Sequence, residues 1–368
     1  MATGLALEGL GRGVSQGILF YGVEPTAPQY LRLCDDAKIS HQTLVKKPGL
    51  GLGARRRLQK ALDACQAKVV LAHHHDMAIT ASRISASRAY ALVFVEHHSN
   101  ALKSRKDWLL SGMAHRCADH TVYLTSSYRD TVRARLGRWF NPAETSVIAN
   151  GLDLSLYPGL GERALTADEF VIGMQGRMDT GKDYATLLRA FAGVSGLTAT
   201  VPLRLELAGD GPDRLRLEDL AAELGISERV KFLGFVEHDA LIGTMRGWDT
   251  AVLCTQGETL SMAILEAWAL GLPLISNGVS GVGDLIRDKH DGLLVDSSQP
   301  ALLTEAIRHL IHDAPLRQKL GRNGRKRVEG HIDRKTVGSQ YDRLIQRLKL
   351  DRMNNLGLST ENPQCLRR

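Results

Sequence analysis

Six short apolar runs stand between residues 168 and 296, at 170–174, 203–208, 230–235, 250–254, 272–276 and 292–295. Helical patterns lie between them, among them 184–194, 213–224 and 238–246. Continuous apolar strands spaced by helices predict a parallel sheet covered on both faces, a doubly wound α/β domain. Ligands of such sheets bind beyond the carboxyl ends of the strands.

The first half carries the same alternation more faintly. Residues 68–72 and 91–95 read as buried strands, 41–45 and 120–124 as further strands, and 54–64, 103–117 and 127–136 as helices. Residues 17–23 fit either a first strand or part of a helix, because Pro25 and Pro28 interrupt the pattern. The stretch NGLDLSLYPGLGE has loop chemistry and predicts a hinge between Asn150 and Asp168. A last helical pattern, 335–350, lies too far from the sheet pattern to be another unit of it, and the tail after it reads as disordered.

A chain of 368 residues is long enough for two domains of ordinary size. It is 43% hydrophobic and 24% charged, with no apolar run near the ~20 residues of a membrane span. The opening MATGLALEGLGRG has neither the charged start nor the long apolar core of a signal peptide. Cysteines 34, 65, 117, 254 and 365 show no CxxC spacing, which points to a reducing cytoplasm and away from a structural metal. Residues 1–150 carry 20 Lys+Arg against 11 Asp+Glu, residues 151–300 carry 12 against 22, and residues 301–368 carry 15 against 7. Such an asymmetry predicts that the two halves meet different partners, whereas single runs such as Arg55–Arg57 need only solvate a helix face.

Residues 257–273, GETLSMAILEAWALGLP, hold the densest candidate chemistry. Ser261 suits an N-cap, 262–270 runs without a breaker, and Gly271 and Pro273 stop the helix. A helix opening at the end of a strand offers N–H groups and a positive dipole end to a phosphate. Glu258 just before that terminus would repel a phosphate and is better suited to hydroxyl groups, as is Glu266 inside the helix. A phosphate flanked by two hydroxyl-gripping acids reads as a nucleotide-sugar site; the competing reading is an amphipathic helix with two solvated acids.

The run 170–174 leads into Gly176, Arg177 and, after GRMDTG, Lys182, then a helix. Glycine lets a phosphate approach the backbone, and both cations can reach one anion. No Ser or Thr follows Lys182, so this is not a P-loop. The alternative is a pair of surface charges. GDGP at 209–212 reads as a tight turn. Val236 ends the 230–235 run at the same sheet edge, where backbone groups can hold a base.

Histidines gather at 73–75 and 97–98, after two expected strands. His73 and His75 would share a face if the strand continued, and a metal there lacks a third ligand fixed by sequence. The stretch 103–116, KSRKDWLLSGMAHR, is read as a helix packed on its own sheet rather than on an anionic membrane.

Together, NGLD at 150–153, GR-x4-K at 176–182, the AGDGP turn, the FLGFV strand, and E-x7-E with GLP behind it resemble the retaining GT-B glycosyltransferases of family 4 (glycosyl transferases group 1). The resemblance covers residues 145–350 in order and spacing; before that, the 9–13 stretch GLGRG is a faint counterpart of the family's glycine-rich loop. It implies two doubly wound Rossmann-like domains with an interdomain cleft: 1–155 for the acceptor, 156–330 for the donor, a helix 331–352 returning to the first domain, and a tail 353–368. It implies Arg177 and Lys182 on the donor diphosphate, Glu258 on the sugar and Glu266 on the ribose. Val236 backbone groups would meet the base, and amides of Leu260, Ser261, Met262 and Ala263 the phosphates, with Gly176 beside them. Where relatives have Phe-Gly-Leu-Val this chain has Leu260–Ala263, so Ser261 narrows the room over the phosphate. His97, with His98 second, corresponds to the histidine facing the sugar.

The implied activity is a retaining hexosyl transfer from a nucleotide diphosphate sugar, with UDP as the expected nucleotide, in bacterial cell-surface glycan or lipopolysaccharide synthesis. Glu258, His97, Arg177 and Lys182 are the expected catalytic set. No metal or other cofactor is expected, nor any nucleic acid partner. An acidic or lipid-linked glycan is the expected acceptor, met in the cytoplasm or on the inner membrane face. A nucleotide-sugar 2-epimerase of the same fold and a non-catalytic nucleotide-sugar-binding subunit are the alternatives.

Overall fold

A computed structural model describes residues 17–23, 25–26, 28–46, 52–82, 90–159, 169–197, 201–279, 281–296 and 299–355. The chain divides into two compact units, one made of residues 1–98, 103–151 and 334–368, the other of 99–102 and 152–333.

In the first unit, β1 (Gly17–Gly22) pairs in parallel with β2 (Ser40–Val45), which settles the ambiguous opening as a strand. Strands β3 (Val69–Ala72), β4 (Ala91–Glu96), β5 (His120–Tyr123) and β6 (Thr145–Val147) form a parallel sheet in that order. The helices are α1 (Pro28–Asp36), α2 (Leu52–Ala64), α3 (His75–Ser82), α4 (Arg105–Cys117) and α5 (Ser126–Leu136). Pro28 begins α1 instead of breaking a pattern, since proline's missing N–H costs nothing in a first turn. Every residue of β4 is buried, and Leu92 and Phe94 pack with Ile79 of α3 and Ala114 of α4. Helix α4 starts at a capping box in which Ser104 and Asp107 bond reciprocally, and its Leu110 and Met113 pack on that core.

The second unit is built on β7 (Phe170–Gln175), β8 (Leu203–Ala208), β9 (Val230–Gly234), β10 (Thr250–Leu253), β11 (Leu274–Asn277) and β12 (Leu293–Val295). Among the described residues these form one parallel sheet in the order β12-β11-β10-β7-β8-β9. Helices α6 (Tyr184–Leu197), α7 (Arg214–Glu223), α8 (His238–Met245), α9 (Met262–Leu270), α10 (Pro300–His312) and α11 (Ala314–His331) connect and cover it. Helix α9 is buried from Ile264 to Leu270 and apolar nearly all round, as a helix inside a domain must be. It ends at Gly271, whose φ of 79° is the left-handed cap conformation.

Helix α12 (Arg334–Asn355) belongs to the first unit, where it packs on β3 and β4. The units divide at 151/152 and 333/334, against the 155/156 and 330/331 expected from the sequence. The reason is local: the Leu152 N–H donates to the Ile332 carbonyl at 2.8 Å, so the chain entering the second unit is stitched to the chain leaving it. A Cβ on Gly151 would come within 2.8 Å of the Arg334 Cα, so glycine lets these segments of the first unit pass. The last helix runs three residues past the expected 352. The 9–13 stretch, residues 160–168 of the expected hinge, and 356–368 of the expected tail lie outside the described residues. Among the described residues no helix is long and apolar enough to cross a membrane.

Candidate functional site

The second sheet reverses its strand order between β7 and β10. From β7 the chain winds outward through β8 and β9; from β10 it winds the other way through β11 and β12. The two crossovers diverge there and leave a crevice at the carboxyl ends of the strands. The loops that leave β7 and β10 carry Gly176, Arg177, Lys182 and Glu258.

These two loops are sewn together. The Asp183 N–H donates to the Cys254 carbonyl at 3.0 Å, and the Gln256 N–H to the Gly181 carbonyl at 3.0 Å. The Thr255 hydroxyl also donates to the Gly181 carbonyl, at 2.9 Å. Asn277, at the end of β11, grips Thr255 from behind: its Oδ1 accepts the Thr255 N–H at 3.0 Å and its Nδ2 donates to the Thr255 carbonyl at 2.6 Å. This framework brings the Lys182 ammonium onto the Glu258 carboxylate as an ion pair. Arg177 stands apart, 74% exposed, with Nε 3.4 Å from Asp179. The structure therefore joins Lys182 to Glu258 and leaves Arg177 exposed on the same loop, beside Asp179.

Close backbone approaches fix the loops further. A Cβ on Gly209 would lie 1.9 Å from the Gly176 carbonyl oxygen, and one on Gly211 would lie 2.3 Å from that of Met178. The GDGP element is thus more than a tight turn, since it backs directly onto the loop after β7. Gly281, at φ +81°, presses likewise on the Glu258 carbonyl, where a Cβ would sit at 1.8 Å.

Glu266 lies one turn into α9 and is buried. Its Oε2 accepts from Gln175 Nε2 at 2.6 Å, and its Oε1 accepts from the Tyr157 hydroxyl at 3.3 Å. His238, at the start of α8, places Nδ1 4.0 Å from the same Oε1 and Nε2 3.3 Å from the Tyr157 hydroxyl. Burial raises the Glu266 pKa, against the opposing pull of Gln175, His238 and Tyr157. Tyr157, Gln175 and His238 escape the sequence reading; only the position of Gln175, just before Gly176, hinted at a place in the site.

Ser261 occupies the N-cap of α9, but its hydroxyl accepts no bond from the first-turn N–H groups, which corrects the expectation of a side-chain cap. Leu260 and Ser261 are buried, while Met262 and Ala263 are partly exposed at the helix mouth. Val236 is half-buried just past β9, and Phe235 before it is 65% exposed.

In the first unit β3 ends at Ala72 and α3 begins at His75, so His73 and His75 do not share a strand face. His73 Nδ1 instead bonds His97 Nε2 at 2.9 Å. Burial lowers both pKa values, to about 3 for His73 and about 4 for His97, so both rings are neutral near pH 7. His74, His75 and Asp76 place donor atoms within 4.8 Å of one another, with Lys46 Nζ 3.7 Å from Asp76. That ammonium opposes a cation at this cluster. His98 is half-buried, with its ring stacked 6.4 Å from His75.

Two family models match the chain in tandem, Glycosyltransferase Family 4 over residues 12–156 and Glycosyl transferases group 1 over residues 162–327. The lipopolysaccharide core biosynthesis glycosyltransferase LpsE of Rhizobium meliloti is 32% identical over 179 residues, 49% of this chain and 50% of its own length. The match thus spans about half of that relative. A glycogen synthase of Mycobacterium tuberculosis is 26% identical over 279 residues, covering 73% of this chain and 66% of its own. Among solved structures, Anabaena Alr3699/HepE in complex with UDP and glucose superposes with a TM-score of 0.79 at 20% identity, over 94% of this chain and 95% of that one.

Proposed function

The chain belongs to the group 1 glycosyltransferases of family 4 and has their GT-B fold, and from that premise we propose that it moves a hexose from a nucleotide diphosphate sugar to an acceptor hydroxyl with retention at the anomeric carbon. The observation that carries this reading is the pairing of Lys182 with Glu258 at the β7–β10 crevice, with buried Glu266 one helix turn behind.

Lys182 and Arg177 bring positive charge to the donor diphosphate, and the amides of Leu260 to Ala263, which lead into α9, meet its oxygens beside Gly176. Glu258 accepts hydroxyls of the donor sugar, and Glu266, oriented by Gln175 and Tyr157, accepts those of the ribose. Backbone groups at Val236 hold the base. In the transfer, the bond from the anomeric carbon to the diphosphate oxygen breaks as the acceptor oxygen bonds the same face. The acceptor proton passes to the departing diphosphate. Lys182 and Arg177 stabilise the charge that builds there, where preorganised electrostatics contribute most. With two cations for the diphosphate, this reading calls for no metal, and a chelator should leave the rate unchanged. His97 is the group of the first unit that acts on the sugar, with His98 as its neighbour.

UDP is the nucleotide this reading favours, since UDP is bound in the Anabaena structure. The name of the Rhizobium relative and the basic ends of this chain favour an acidic or lipid-linked glycan acceptor in cell-surface synthesis, met at the inner face of the cytoplasmic membrane. The test is a thermal-shift screen of nucleoside diphosphates, followed by mass spectrometry of products from the best donor. Transfer to an acceptor supports the reading. Isomerisation of the donor alone indicates a 2-epimerase, and tight binding without turnover a non-catalytic subunit.

A further inference from the structure

Just past β4 the first unit commits a buried ion pair and a tyrosine to the backbone of one residue, His98. Glu96, 2% exposed, accepts the His98 backbone N–H on Oε1 at 3.2 Å. Its Oε2 accepts from Lys103 Nζ at 3.1 Å and from the Ser111 hydroxyl. Lys103 Nζ also donates to the Tyr128 hydroxyl at 2.9 Å and lies 4.6 Å from the centre of the Trp108 ring. The Tyr128 hydroxyl donates in turn to the His98 carbonyl at 2.5 Å. The His98 N–H and C=O are therefore held by two ends of one charged network. One residue earlier, the His97 ring is held by His73, at 2.9 Å between nitrogens and with the two rings stacked 5.2 Å apart.

Stability alone does not call for this. A buried ion pair can often be replaced by apolar side chains of similar volume with no loss of stability. What a satisfied polar network supplies is fixed geometry, which a catalytic group needs and a plain turn does not. Both grips close on the two-residue segment that carries His97.

We propose that Glu96, Lys103, Tyr128 and His73 are positioning residues for the transfer reaction: the first three fix the backbone of His98, the residue after His97, and His73 fixes the His97 ring. The inference rests on the reading above, in which His97 acts on the donor sugar. Tyr128→Phe is the informative variant, because it removes one hydroxyl and keeps the aromatic ring. His73→Asn is its counterpart on the ring side.

The experiment measures turnover and UDP affinity for wild type and both variants, with nitrogen-15 spectra of the histidine rings. A misplacement of about 1 Å costs on the order of a hundredfold in rate, so kcat should fall by about ten- to a hundredfold in each variant. Donor KM and UDP affinity should stay within about twofold, as for an interaction made only in the transition state. The His97 ring nitrogens should shift in Tyr128→Phe. Wild-type kcat in either folded variant, or UDP affinity falling in step with kcat, would overturn the proposal. If Tyr128→Phe does not fold, His73→Asn and the wild-type spectrum decide: a wild-type spectrum without a hydrogen bond between His73 Nδ1 and His97 Nε2 also overturns it. A wild-type protein that transfers from no nucleotide sugar would instead remove the functional reading itself, and this inference with it.

Discussion

Lys182 and Glu258, 76 positions apart in sequence, meet as an ion pair at the carboxyl end of the second unit's sheet, each side chain 18% exposed. The pairing changes how the glutamate is understood. A carboxylate before a helix N-terminus would repel a phosphate if it stood alone; beside an ammonium, its charge is offset. On the proposed reading, a donor diphosphate would meet a lysine already in place, and Glu258 would remain to accept sugar hydroxyls.

The first prediction concerns that cation and its neighbour. Loss of a charge-assisted contact costs on the order of 1.5–3 kcal/mol, so Lys182→Met and Arg177→Ala should each weaken nucleoside diphosphate binding by roughly ten- to a hundredfold. Arg177 is largely exposed, so Arg177→Ala should leave the melting temperature of the free protein nearly unchanged. Calorimetry and a melting curve read both, and wild-type affinity in Arg177→Ala would remove that residue from the diphosphate.

Glu266 makes a second prediction through pH. Burial raises its folded pKa above the ordinary 4.5, so between 4.5 and the folded value the native state holds a proton that the unfolded chain has released. Stability from this group therefore falls as pH rises through that window. Glu266→Gln cannot ionise, so its melting temperature relative to wild type should climb from pH 4.5 upward. A constant difference across the series would mean that burial does not control this carboxyl.

Three histidines act in the opposite sense. Burial lowers the pKa of His73 to about 3 and those of His97 and His120 to about 4, with Arg347 adding to the effect at His120. Below 6.5 the unfolded chain takes up protons that these buried rings refuse, so their stabilising contribution is present above pH 6.5 and is lost as pH falls through about 4. Melting temperature should drop across that range, and His120→Asn should flatten the drop. An equally steep drop in the variant would assign the loss to other groups.

Charge distribution predicts a salt effect. Residues 1–150 are net +9 and 301–368 net +8, while 151–300 are net −10. Attraction between exposed charges is screened over about 8 Å at physiological salt. Co-sedimentation with anionic vesicles, or binding to an acidic glycan, should fall steeply as salt rises, while nucleotide affinity changes little. Absence of both interactions at low salt would point to a neutral, soluble acceptor.

Much of the second unit was legible because its strands are buried on both faces and read as unbroken apolar runs. Strand β8 spans 203–208 as its pattern predicts, and α9 runs from the residue after Ser261 to the residue before Gly271. The first unit was less legible: α3 falls within a histidine-rich stretch with weak periodicity, and α1 begins at a proline. The site residues missed are those whose role depends on partners distant in sequence. Tyr157 reaches Glu266 across 109 positions, and nothing near it signals a carboxylate partner. Lys103 sits in a basic run with Arg105 and Lys106, in a stretch read for its apolar stripe of Trp108, Leu109, Leu110 and Met113, yet it is itself buried against Glu96. Pattern shows which residues go inside; it does not show which polar groups meet there.

The central claim is that Glu258 serves the sugar and Glu266 the ribose of one bound nucleotide sugar. The most direct measurement is calorimetric titration of UDP into wild type, Glu258→Gln and Glu266→Ala, alongside turnover of the donor. UDP lacks the sugar, so Glu258→Gln should bind it as wild type does while turnover is lost. Glu266→Ala should bind UDP more weakly, by roughly tenfold or more for a lost hydrogen bond to a charged group. Wild-type UDP affinity and normal turnover in both variants would contradict the account.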